Sequence, residues 1–211
     1  MKTTILKIKN HSLDDAAVRV LAHAVNAGGV IVFPTDTVYG IGCSAFNPTA
    51  IKKVYSLKGR RYSKPLPILL GDESQLPLVA AGVPPEAQKL TESFWPGGLT
   101  LVFTTTPLAL FASGGRRTIA VRVPDYPPVR SLLEKIQIPL AATSANISGK
   151  KAMKRGADVV RLFSGKVDLI VDGGECPGGR ESTVVDAQTY PFSVLRHGAI
   201  SKTEIAKVLG L

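Results

Sequence analysis

The sequence predicts an α/β fold in which a twisted mixed sheet is flanked by helices. Three observations carry this expectation. Short apolar runs of strand length alternate with segments whose apolar residues recur at helical spacing. Several of the runs follow one another with no helix between them, which argues against a strict βαβ repeat. Finally, 45% of the 211 residues are hydrophobic, enough for one large domain over 1–211, and no repeat, low-complexity tract or long linker divides it.

Taken in order, residues 3–8 alternate like an edge strand, and Ser12 precedes a helix on which Leu13, Ala17, Val20, Leu21, Ala24 and Val25 share a face until Gly28 and Gly29 end it. Residues 30–33 are an apolar run stopped by Pro34, so a buried strand is expected to deliver Thr35, Asp36 and Thr37 to a sheet edge, in a polar loop TDTVYGIG. Asn47 and Pro48 form an N-cap and first-turn pair for a helix carrying Ile51, Val54 and Tyr55. Strands are then predicted at 66–70, 99–104, 118–123, 139–142, 167–171, 182–186 and 193–196. Helices are predicted at 85–94, 127–136, 157–163 and 201–209. The segment DGGECPGGRE at 172–181 has four glycines and a proline, which leaves it little to pack and predicts a mobile loop.

Charge narrows the function classes. The 26 Lys and Arg outnumber the 16 Asp and Glu, for a formal charge of +10, which favours ligands carrying phosphate or carboxylate. The two cysteines, Cys43 and Cys176, form no CxxC pair, so neither a disulfide framework nor a zinc knuckle is legible, and a reducing cytoplasmic setting fits. No signal peptide and no apolar run of membrane-spanning length is present. His11, His23 and His197 lie far apart without acidic or thiol neighbours at ligand spacing, so no protein-held metal is expected. Walker A, GxSxG and GxGxxG motifs are all absent. What remains is chemistry that needs no protein nucleophile, in which Lys, Arg, Ser, Thr and Asn position two substrates and neutralise charge.

Such residues stand at the ends of the predicted strands and helices. Lys58 and Arg60 flank Gly59 and serve either as two cations converging on a phosphate or as a solvated helix end. Ser144 and Asn146 follow the strand at 139–142 and serve either as ligand donors or as a turn that caps backbone groups. Arg122, in IAVRV, shares a strand face with Ala120 and Pro124 and wants a carboxylate, from a substrate or from Asp36 or Asp125. Ser182 opens one strand and Arg196 closes the next.

Together, FPTDTVYGIG at 33–42, KGR at 58–60, WPGGLTLVF at 95–103, VRVP at 121–124, TSANISG at 143–149 and ESTVVD at 181–186 resemble the YrdC/YciO family. Within it, the chain is most similar to the single-domain threonylcarbamoyl-AMP synthases. The resemblance runs from about residue 16 to 196. It implies a YrdC-like domain with a concave basic cleft, and an enzyme that makes threonylcarbamoyl-adenylate and pyrophosphate from L-threonine, bicarbonate and ATP, with Mg2+ on the phosphates. That product leads to N6-threonylcarbamoyladenosine in tRNA through further transfer proteins. The resemblance further implies that Lys58, Arg60, Ser144, Asn146 and Arg196 contact ATP, with Lys58 and Arg60 catalytic, and that Thr35, Arg122, Ser144 and Ser182 contact threonine. It implies no C-terminal extra domain. The chain departs from the family pattern at Arg61, where proline is usual, at PLPILL, at RHG, and at the basic run KKAMKR after Gly149.

A nucleic-acid-binding role on the same basic surface, for tRNA or double-stranded RNA, is the alternative. The charge favours it, while aromatic residues for base stacking make up only 6% of the chain. Its signature is binding that weakens steeply with salt. Because Lys58 and Asn146 read as exposed, replacing either with alanine is expected to change stability by only about 0.5 kcal/mol.

Overall fold

The computed structural model describes residues 2–8, 12–178 and 180–211; His11 lies outside them. Ten strands form one sheet: β1 (Thr4–Lys7), β2 (Ile31–Phe33), β3 (Gly40–Ser44), β4 (Ile68–Leu69), β5 (Leu99–Thr104), β6 (Thr118–Arg122), β7 (Leu140–Ser144), β8 (Leu169–Asp172), β9 (Thr183–Asp186) and β10 (Ser193–Arg196). Among the described residues, six α-helices accompany them: α1 (Asp15–Asn26), α2 (Pro48–Lys58), α3 (Pro85–Phe94), α4 (Pro127–Ile136), α5 (Gly156–Phe163) and α6 (Lys202–Leu209). The strand order is β1-β8-β2-β3-β7-β4-β6-β5-β9-β10. Parallel pairs (β1 with β8, β2 with β8, β4 with β6, β5 with β9) mix with antiparallel ones, so the sheet is mixed, as expected.

The period-2 alternation of strand side chains divides the core into two faces. Ile31, Phe33, Leu140 and Leu169 pack with Leu21 and Val25 of α1 and Leu132 and Leu133 of α4. Their sequence neighbours Val32, Ala141 and Ile170 point the other way, toward Ile51 and Val54 of α2 and Val159 and Phe163 of α5.

Two expectations are corrected. The first helix is capped by Asp14, not Ser12: the Asp14 carboxylate accepts the Ala17 amide at 2.7 Å, so the helix begins at Asp15. The stretch expected to be loop through Gly42 contains β3, every residue of which is buried. Its glycines permit strands to approach: a Cβ on Gly40 would lie 2.9 Å from the Phe33 ring, and one on Gly42 would lie 2.8 Å from both the Ala141 oxygen and the Ala142 Cβ. In the segment expected to be a mobile loop, backbone groups of residues 173–178 find partners elsewhere in the chain. The Tyr39 hydroxyl accepts the Gly173 amide and donates to the Gly174 carbonyl, each at 3.0 Å. Cys176 N donates to Lys154 O and Gly178 N to Asp36 O.

Both thiols are buried, and burial pushes Cys43 up to about 12 and Cys176 up to about 11. Since the thiolate is the reactive form, neither cysteine is expected to react with a disulfide reagent in the native protein at pH 8. Both should react after unfolding, and rapid native labelling would contradict the packing.

Candidate functional site

The loop between β2 and β3, the start of β9 and the ends of β6, β7 and β10 converge on a cavity of about 290 Å³. Six of the sequence-predicted site residues line it: Thr35, Arg60, Arg122, Ser144, Ser182 and Arg196. Thr37, Thr100 and Glu181 line it as well; Thr37 was expected at the sheet edge, but none of the three was assigned a site role from the sequence. Thr37 repeats the Thr35 type in TDT, and Glu181 precedes Ser182, so both were legible as neighbours of chosen residues. Thr100 lies inside an ordinary apolar strand and carried no signal.

Arg122 is 6% exposed and extends from the last position of β6. Its Nε donates to the Gly97 carbonyl at 2.7 Å, Nη1 donates to the Thr37 hydroxyl at 3.1 Å, and Nη2 donates to the Asp36 carboxylate. Of the two ion-pair partners considered, Asp36 is therefore the one used. Burial lowers the guanidinium from its ordinary value and Asp36 opposes the shift. Three of its five N–H groups are accounted for among the described residues, and two have no partner there.

Arg196 and Arg60 are positioned by backbone carbonyls. Arg196 Nε and Nη2 donate to Ser182 O at 3.2 and 2.9 Å, Nη2 also reaches Ser182 Oγ at 3.1 Å, and Nη1 pairs with Glu181 at 2.9 Å. Arg60 Nε and Nη2 donate to the carbonyls of Lys64 and Pro65, both at 2.9 Å. Burial holds Arg60 below its ordinary value. The Ser182 hydroxyl also meets Thr100 Oγ1 at 2.8 Å, so β5 and the residue just before β9 present two adjoining hydroxyls to the cavity.

Lys58 and Asn146 do not line this cavity. Lys58 is 1% exposed and Asn146 is 7% exposed. The Lys58 ammonium donates to Ser144 O, to Asn146 O at 2.8 Å and to Asn146 Oδ1 at 3.0 Å. Ser144 Oγ donates to the same Asn146 Oδ1 at 2.8 Å. Burial, and then the neighbouring Arg60 charge, push Lys58 down to about 8, with Glu181 opposing. At neutral pH it is an ammonium with all three N–H groups used. The expectation of a small stability effect at Lys58 and Asn146 is corrected accordingly, because neither is a surface group.

Of the departures from the family pattern, PLPILL and RHG contribute Pro67, Leu69 and Arg196 to the cavity lining, whereas Arg61 and the basic run after Gly149 lie outside it. Arg61 is exposed. Lys151, Lys154 and Arg155 line a separate concavity with Asp158, Arg161 and Glu175, where Arg155 pairs with Glu175 and Arg161 with Asp158, both at 3.5 Å. Among the described residues no three His, Cys, Asp or Glu side chains cluster to hold a metal ion, and no helix is long and apolar enough to cross a membrane.

Comparison with known proteins adds relatives to this geometry. The Sua5/YciO/YrdC family model, described as telomere recombination, matches residues 23–198. The threonylcarbamoyl-AMP synthase of Pyrococcus abyssi is 38% identical over 209 residues, covering 99% of this chain and 61% of the relative. That of Bacillus subtilis is 38% identical over 201 residues, covering 94% of this chain and 58% of the relative. The chain thus spans about three fifths of the length of these relatives. The crystal structure of Pyrococcus abyssi Sua5 complexed with L-threonine superposes with a TM-score of 0.93 at 37% identity, covering 100% of this chain and 61% of that one.

Proposed function

The chain belongs to the Sua5/YciO/YrdC family, and from that premise we propose that it is an L-threonylcarbamoyladenylate synthase, forming threonylcarbamoyl-AMP and pyrophosphate from L-threonine, bicarbonate and ATP. The observation that carries the reading is the cavity in which Arg122 keeps two N–H groups for a ligand beside Arg60 and Arg196. A fixed guanidinium fork suits the carboxylate of an amino acid, and L-threonine is the ligand of the Pyrococcus relative.

In this reading the threonine amine takes up bicarbonate or carbon dioxide to give a carbamate, whose oxygen attacks the α-phosphorus while pyrophosphate leaves. No protein nucleophile is needed. Arg60 and Arg196 neutralise charge on the phosphate oxygens, and catalysis consists of positioning and electrostatic stabilisation. Lys58 and Asn146 contribute by holding the end of β7, so that Ser144 faces the cavity. A magnesium ion would arrive on the ATP phosphates, as is usual for an ion that keeps several waters. Glu181 is the one carboxylate among the described lining residues, and it pairs with Arg196. The product would pass to proteins that transfer the threonylcarbamoyl group to tRNA in the cytoplasm.

Purified protein is expected to release pyrophosphate from ATP only when threonine and bicarbonate are both present. Equal release with threonine omitted would overturn the assignment.

A further inference from the structure

We propose that Thr37 and Asp36 are positioning residues that aim Arg122 at a substrate carboxylate. The proposal rests on the amino acid reading above for the identity of the carboxylate.

The direction of each hydrogen bond follows from proton counting. A hydroxyl has one proton to give. Thr35 Oγ1 lies 2.7 Å from the Val38 carbonyl, which only accepts, so the Thr35 proton is spent there. The same oxygen accepts the amides of Thr37 and Val38 at 3.1 and 3.3 Å. At the 3.0 Å contact between the two threonine hydroxyls, Thr37 must therefore be the donor. Its oxygen in turn accepts Arg122 Nη1–H at 3.1 Å, since a guanidinium only donates. The chain runs one way, from Arg122 to Thr37 to Thr35 to the Val38 carbonyl. Thr35, Thr37 and Arg122 are 4%, 3% and 6% exposed, which leaves little room for water to replace a member of the chain.

Two further anchors complete the hold. Gly97 O accepts Nε–H, and Gly97 N is itself tied to Val123 O at 2.8 Å, one residue beyond β6. Asp36 accepts from Nη2. With one proton of each terminal nitrogen committed, one on each remains, and Arg122 lines the cavity. Asp36 offsets part of the Arg122 charge, so its contribution to anion binding is orientation and not attraction. A fork fixed at three points loses little freedom when a carboxylate arrives.

The test uses the whole chain with variants at Thr37, Asp36 and Arg122 and two probes: L-threonine, and L-threoninol, which keeps the amine and hydroxyl but lacks the carboxylate. By calorimetry, Thr37→Val is expected to weaken L-threonine binding at least about tenfold, and Thr37→Ser to restore it to within about threefold. Threoninol binding should be the same in all of them. In the nuclear magnetic resonance spectrum, the Arg122 Nη–H signals, assigned by their loss in Arg122→Lys, should be separate in the unsubstituted protein and merge in Thr37→Val as the guanidinium, with one of its three anchors lost, turns more readily. Unchanged threonine affinity in folded Thr37→Val, equal loss of both probes, or guanidinium signals that stay separate would each overturn the proposal. Should Thr37→Val not fold, Asp36→Asn carries the same expectations and the same overturning results. If the unsubstituted protein binds no threonine while its signals still merge in Thr37→Val, the amino acid reading falls and the positioning stands.

Discussion

Replacing Arg122 with alanine is expected to reduce threonine-dependent pyrophosphate release at least about 100-fold and to lower unfolding free energy by about 3–5 kcal/mol. The two losses have separate origins. The catalytic loss follows from removal of the two N–H groups left for a carboxylate in the cavity. The stability loss follows from what stays behind: the half-buried Asp36 carboxylate without its cation, and Gly97 O and Thr37 Oγ1 without their donor. Arg122→Lys retains one charge but has neither the reach in three directions nor the planar fork. It is therefore expected to recover more stability than activity. Steady-state kinetics alongside urea unfolding separates these effects. Full activity in a destabilised Arg122→Ala would make the arginine a structural ion pair and nothing more.

Lys58→Met is the second large effect, and here stability leads. Methionine keeps much of the apolar stem but offers nothing to Ser144 O, Asn146 O and Asn146 Oδ1, which the ammonium now satisfies. Each buried acceptor left without a donor costs on the order of 1–3 kcal/mol, partly offset because a buried charge is also removed. A net loss of about 2–4 kcal/mol is expected, or a fall in Tm of roughly 4–16 °C for a chain of this size. Activity should fall as well, because the strand end that presents Ser144 loses its tie to the end of α2. A thermal midpoint within about 2 °C of the unsubstituted protein would contradict the network, and an inactive but undiminished fold would return Lys58 to direct phosphate contact.

These two residues show where reading the chain sufficed and where it did not. The apolar periodicity of α2 and its Asn47 and Pro48 start were legible, and they place Lys58 at the helix end as expected. Whether a helix-end lysine faces water or a ring of carbonyls depends on what another part of the chain brings to it. In this protein that part is the end of β7, 86 residues away. For Arg122, strand alternation identified the face, and the sequence left three candidate partners. Pairing with Asp36 was settled only when β6 and the loop after β2 met across the sheet. β3 was missed because Gly40 and Gly42 read locally as loop punctuation, while in the fold they are the small residues that let three strands close.

The sequence by itself determined the α/β class, the position of nearly every helix and strand, the excess of cations and six of the residues that line the cavity. Those properties follow from local patterns: apolar spacing, caps, prolines and the ordered motifs. The tertiary structure decided which polar side chains are left for a ligand and which are consumed in holding the cavity's walls. Hydrogen-bond capacity is finite, so a residue's role depends on how many of its donors and acceptors distant neighbours have already taken. Lys58 and Asn146 are consumed by such neighbours, whereas Arg122 has two N–H groups with no partner among the described residues.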